Sequence, residues 1–269
     1  MSAGQCPVLL VHGWNSHPGI WNRLVPRLSD ISLPVWKFDH STMDNTDIAK
    51  RAAYLKAYIC DMRDESGYTG PVDIVCHSVG TCITRYLLEV MDGTERKEKV
   101  RQLIGLGPPN NGSVLAELFH DPLKGRDIIN RLTGVFVPQG FDPSMDLIVQ
   151  DVRPASSAMQ KLRLAGTRDD ITYRIIVTAN PDGMPDFFPL FDGKTWGINS
   201  DGSWQETWDG DGIVSHRESR LPGITLDILP LGQDDSVQLP RHDQYCHINL
   251  PKNAVVISRI LHYLTTPLS

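Results

Sequence analysis

The stretch Val72-Asp73-Ile74-Val75-Cys76-His77-Ser78-Val79-Gly80 constrains this chain more than any other. A short apolar run bounded by turn signals reads as a buried strand. The residues after it, with Ile83, Tyr86, Leu87 and Val90 on one face, predict a helix over Ser78 to Met91. A strand turning at once into a helix around Ser-x-Gly lifts the serine hydroxyl clear of a sheet, the arrangement known as a nucleophile elbow. The positions two before and two after the serine must be small where strand and helix meet, and here they are Cys76 and Gly80. Cysteine thus stands where glycine is usual. The plainer use of Ser78 is as a helix cap.

A serine hydroxyl needs a positioned base, and the oxyanion formed on attack needs donors aimed at it. Val8-Leu9-Leu10-Val11-His12-Gly13-Trp14 is an apolar strand ending in His-Gly, a sequence that can lead into an oxyanion loop. The donors are then the backbone N–H groups of Trp14 and Val79, the latter at a helix N-terminus whose dipole favours negative charge. Alone, His-Gly after a strand is a weak signal; beside the elbow it is a strong one.

Around these motifs, short apolar runs alternate with segments of helical period, the pattern of an α/β chain with a mostly parallel central sheet flanked by helices. The strands are expected at Leu9 to His12, Leu33 to Phe38, Val72 to Cys76, Leu103 to Leu106, Tyr173 to Thr178 and Leu226 to Leu229. Asp44-Asn45-Thr46-Asp47 supplies capping residues for a helix whose buried stripe is Ile48, Ala52, Leu55, Ile59 and Met62, stopped by Gly67 and Gly70-Pro71. Ala254 to Leu264 repeats the helical pattern and should pack on the sheet. Residues 112–166 break the rhythm, with helical patches near Val114 to Leu118 and Ser156 to Leu164, and read as a lid or cap insertion in a single domain spanning 1–269. A second irregular segment, Asn180 to Gly212, carries Trp196, Trp204 and Trp208, which favour order in a loop of that length.

The strings VHGWNSHPGIW, DIVCHSVG, GPPNNGS, GDGIVSHRES and CHINLP, in that order over nearly the whole chain, resemble the α/β-hydrolase lipases, in particular the compact bacterial and archaeal ones. The insertion matches nothing specific and corresponds in position to their variable lid. The resemblance implies a triad in the order serine, acid, histidine, with the acid after a late strand and the histidine before the last helix. Asp211, in Gly-Asp-Gly-Ile-Val, matches the acid motif, with Asp209 as its rival; its task would be to orient the imidazole. His247 precedes the last helix, with His242 in the same loop as the alternative. His216 lies too near the acid in sequence, and His262 falls inside the final helix. His12 is expected to hold the oxyanion loop and His77 to fill space beside the elbow. Trp14, Trp21 and Trp196 are candidates for an acyl pocket, although Trp21 reads equally well as core.

The implied activity is a carboxylic ester hydrolase working through a covalent acyl-enzyme, with a small acyl ester or a lipid as substrate and lipid-surface contact through the lid. An acyltransferase, lactonase, thioesterase or amidase would use the same triad. Fold relatives with an aspartate nucleophile are disfavoured by Ser78. A binding-only relative would usually lack a triad member. The formal charge of -6, with no long Lys/Arg run, argues against nucleic acid as a partner. No cofactor and no catalytic metal are expected; Asp182, Asp186, Asp192, Asp201 and Asp209 leave a structural calcium open. Met1 leads through small polar residues into a core strand without a signal-peptide pattern, and the odd count of 5 cysteines favours a reducing, cytoplasmic setting.

Overall fold

The computed structural model describes residues 6–43, 45–230 and 244–268. Asp44 and His242 lie outside the described residues. Strand β1 (Val8–Val11) pairs with β2 (Val35–Phe38) on one side and with β3 (Val72–His77) on the other, and β4 (Val100–Leu106) and β5 (Thr172–Thr178) extend the sheet. After an antiparallel hairpin of β6 (Thr195–Ile198) and β7 (Trp204–Thr207), β8 (Leu226–Leu229) joins the far edge. Among the described residues the main sheet has six strands, in the order β2-β1-β3-β4-β5-β8, and every pairing in it is parallel.

The alternation of side chains along each strand explains why both faces must be covered. In β1, Leu9 and Val11 enter one core and Val8 and Leu10 the other. A sheet whose strands read as continuous apolar runs is stable only with helices on both sides. On the second face, α1 (Leu24–Asp30) contributes Leu24 and Leu28. The first face carries α2 (Ile48–Ser66), which buries Ile48, Ala52, Leu55 and Ile59, and α3 (Val79–Arg85), which follows the elbow. Met62 is only half-buried. Asp47 caps α2, its carboxylate accepting from Lys50 N–H at 2.7 Å. Beyond Arg85 the backbone widens into a π-helical turn over Tyr86–Asp92, continuing the expected helix.

Residues 112–166 fold as α4 (Val114–Leu118), α5 (Gly125–Leu132), α6 (Leu147–Asp151) and α7 (Ser157–Ala165), with α5 and α6 additional to the two expected helical patches. The short α8 (His216–Ser219) follows the hairpin, and α9 (Ala254–Thr265) packs Val256, Ile257, Ile260 and Leu264 beside α1. Among the described residues no helix is long and apolar enough to cross a membrane.

The chain reverses direction across the sheet between β1 and β3: β2 lies to one side, and β3, β4, β5 and β8 to the other. In parallel sheets the crevice at the carboxyl ends of such a pair of strands is where ligands bind. Val11 is in register with Cys76, so His12-Gly13-Trp14 and His77-Ser78-Val79 leave the sheet side by side.

Candidate active site

Ser78 sits at the top of β3 with φ 54° and ψ -131°, a conformation that L-residues rarely adopt. Its backbone N–H donates to Leu106 O at 2.9 Å, and its carbonyl accepts from Thr81 N–H at 3.0 Å. The turn is therefore clamped to β4 below and to α3 behind. Gly80 shows why a small residue is required two positions on: a Cβ there would lie 2.4 Å from His12 O and 2.8 Å from Val11 O. The helix thus starts directly against the end of β1. Val79 is its first residue, and the leading N–H groups of a helix have no partner within it.

From Ser78 a chain of hydrogen bonds runs inward. Ser78 Oγ–H donates to His247 Nε2 at 2.9 Å, and His247 Nδ1–H donates to Asp211 Oδ2 at 2.7 Å. A carboxylate only accepts, so the imidazole proton belongs on Nδ1 and Nε2 is left as the acceptor facing the hydroxyl. Asp211 is held in turn: its Oδ1 accepts from Ile213 N–H at 3.0 Å and Val214 N–H at 2.7 Å. His247 and Asp211 are also joined through the backbone, His247 N–H donating to Asp211 O at 2.8 Å. The imidazole and the carboxylate are buried, which strengthens each of these bonds.

The other candidates stand apart from this chain of contacts. Asp209 is exposed, its amide bonded to Thr207 Oγ1. His216 is the first residue of α8 and donates from Nε2 to Thr178 O at 2.9 Å. His262 lies on α9 against Tyr263. Trp21 is fully buried in the core with Val8 and Leu10, and Trp196 packs edge-on against Phe191. Neither lines the cavity beside Ser78, whereas Trp14 does.

That cavity, about 40 Å³, is walled by apolar side chains, among them Leu115, Phe119, Phe136, Ile148 and Val214. Most come from residues 112–166. Phe136 lies with its ring centre 5.9 Å from that of His247 and 5.4 Å from that of Trp14. The oxyanion-loop candidates grip the same segment, Trp14 Nε1–H donating to Asp146 at 2.8 Å and Asn15 Nδ2–H to Phe136 O at 3.1 Å.

Gly107 carries no local signal in the sequence, and His77 has a role that its place in the elbow does not reveal. Gly107, just past β4, has φ +54°, and a Cβ there would lie 2.5 Å from Asp211 Oδ2 and 3.1 Å from His247 Nδ1. Its bare Cα makes room for the acid–imidazole bond. His77 does more than fill space, because its Nε2–H donates to His247 O at 3.0 Å and ties the histidine loop to the elbow. Burial, followed by the neighbouring His247, holds the His77 pKa well below the ordinary value, so its ring stays neutral. Among the described residues no cluster of His, Cys, Asp or Glu converges to hold a metal ion.

Three solved structures share this architecture over 98% of the chain. Lipase BlEst2 from Bacillus licheniformis in its mature form is 19% identical, with a TM-score of 0.67 over 94% of its own chain. Phospholipase PlaB from Legionella pneumophila is 15% identical, with a TM-score of 0.61 over 60% of its chain. The metagenomic carboxyl esterase MGS0156 is 15% identical, with a TM-score of 0.59 over 76% of its chain. The parallel sheet and these neighbours establish the α/β-hydrolase fold. No curated protein matches the sequence. A family model does match, over residues 2–167, and by that match the chain belongs to the family described as a domain of unknown function, DUF7379.

Proposed function

We propose that this protein is a carboxylic ester hydrolase in which Ser78 is the nucleophile, His247 the general base and then acid, and Asp211 the residue that orients the imidazole. The observation that carries the reading is the unbroken path Ser78 Oγ to His247 Nε2 to Asp211 Oδ2, at 2.9 and 2.7 Å. In this reading His247 takes the hydroxyl proton as Ser78 Oγ attacks the ester carbonyl carbon. The tetrahedral oxyanion is met by the N–H groups of Trp14 and Val79. Collapse expels the alcohol, which receives its proton from His247, and leaves an acyl group on Ser78. Water, deprotonated by His247, then attacks the acyl carbonyl, releasing the acid and restoring the hydroxyl.

The apolar cavity beside Ser78 supports an acyl substrate, and the names of the structural neighbours agree with one. Its size supports short chains, since about 40 Å³ is far below the roughly 300–1,000 Å³ of a site that encloses a drug-sized ligand. A longer acyl chain needs the segment bearing Phe136 to move. Hydrolysis of p-nitrophenyl esters from acetate to palmitate tests this: the short esters should turn over fastest, and Ser78→Ala should abolish turnover. Equal rates in the two proteins would exclude Ser78 as nucleophile.

A further inference from the structure

Behind the Trp14 amide lies a buried polar cluster that the proposed chemistry does not use directly. His12, the last residue before the loop, and His40, just past β2, stack with ring centres 3.8 Å apart and planes 9° from parallel. Arg51, in the first turns of α2, reaches over them. Its Nη1 contacts His40 Nδ1 at 2.7 Å and His40 O at 2.8 Å, and its Nε–H donates to Thr46 O at 3.2 Å.

The donors and acceptors in this cluster can be assigned in only one way. A guanidinium has no acceptor, so His40 Nδ1 must receive a hydrogen bond and the His40 proton sits on Nε2. From there it donates to His12 O at 3.0 Å. The His40 backbone N–H donates to His12 Nε2 at 3.1 Å, so the His12 proton sits on Nδ1, where it donates to Gly13 O at 2.9 Å. The Asp39 carboxylate, 3.5 Å from His12 Nε2, is engaged at shorter range by the Ser41 N–H and hydroxyl. Burial, followed by the neighbouring His12, holds His40 down to about 3, and burial lowers His12, so both rings stay neutral at physiological pH.

Two consecutive carbonyls, His12 O and Gly13 O, are thus fixed by ring N–H groups. A trans peptide is planar, with its C=O and N–H pointing in opposite directions. Fixing Gly13 O therefore fixes the direction of the Trp14 N–H. Gly13 itself abuts the nucleophile, since a Cβ there would lie 3.0 Å from Ser78 Cβ. We propose that Arg51, acting through His40 and His12, is a positioning residue that aims the Trp14 amide at the oxyanion. The catalytic half of this inference rests on the proposed hydrolase activity; the tautomer relay does not.

The experiment reads both halves. Long-range 1H–15N spectra of the uninhibited protein should show His12 protonated on Nδ1 and His40 on Nε2, and Arg51→Met should scramble the His40 tautomer. The same variant should lower kcat by roughly 10- to 100-fold, less than the roughly 100- to 1000-fold that follows outright loss of an oxyanion donor. KM should stay within about twofold, because ground-state binding is untouched. Affinity for a trifluoromethyl ketone, which mimics the tetrahedral oxyanion, should fall in step with kcat. His40→Gln, which can still accept from Arg51 and donate to His12 O, should retain more activity than His40→Leu. Opposite tautomers in the wild type, or a loss of kcat with unchanged ketone affinity, would overturn the proposal. The spectra need no substrate, so a wild type that hydrolyses no ester would contradict the hydrolase reading while the tautomers still decide the relay.

Discussion

Ser78 keeps φ 54° although it has a Cβ, a conformation that costs on the order of 1–3 kcal/mol and persists where the surroundings enforce it. Glycine adopts such angles freely. Ser78→Gly should therefore melt above Ser78→Ala, by about 1 kcal/mol in stability, although both remove the hydroxyl; equal melting temperatures would mean that the turn stores no strain. At this scale the sequence was informative wherever a residue's role is local. Ser78 and Gly80 announce themselves because strand, turn and helix are contiguous, and Trp14 because it follows a strand ending in His-Gly. Gly107, His40 and Arg51 do not, since their partners come from other strands and helices: His40 meets a histidine 28 residues before it, and His77 one 170 residues after it. Periodicity carries no trace of such meetings.

Among the elements, the short helix α8 joins the Asp211 loop to residues 112–166. Ser215 and Glu218 form a capping box, and Glu218 Oε1 also accepts from Val114 N–H at 2.7 Å, at the start of α4. Burial pushes the Glu218 carboxyl up to about 7 from an ordinary 4.5, and the nearby Asp211 adds to the rise. Between those values the unfolded chain has released a proton that the folded protein keeps. This contribution to stability is full below about pH 4.5, declines as pH rises towards 7 and is absent above it. Glu218→Gln should flatten that decline, so the wild-type melting temperature should fall relative to the variant's between pH 5 and pH 8; a constant gap would refute the assignment. The six sheet strands were legible from their apolar runs, with ends displaced by up to three residues. The β6–β7 hairpin was not foreseen, although Asp201-Gly202 is a turn signal, because Gly197 and polar residues interrupt the alternation. Helices α5 and α6 were hidden by the Gly and Pro residues between them.

For the molecule as a whole, the sheet and the covering segment play different parts. The sheet sets Ser78 at the end of β3, Asp211 follows the β6–β7 hairpin and His247 precedes α9, while residues 112–166 supply most of the apolar wall. That same segment turns Leu123 and Leu164 outward, 91% and 87% exposed, in a chain of net charge -6. If it meets a lipid surface, Leu123→Ser combined with Leu164→Ser should slow hydrolysis of emulsified tributyrin several-fold and leave soluble p-nitrophenyl acetate unaffected. Equal rates on the emulsion would remove those leucines from substrate contact. The claim beneath all of this is that Ser78 is an activated nucleophile. Labelling with a fluorophosphonate and mapping the adduct by peptide mass spectrometry tests it most directly. The adduct should fall on Ser78 and be lost in His247→Ala and Asp211→Ala. A protein that takes up no label, or takes it up at another residue, would contradict the account.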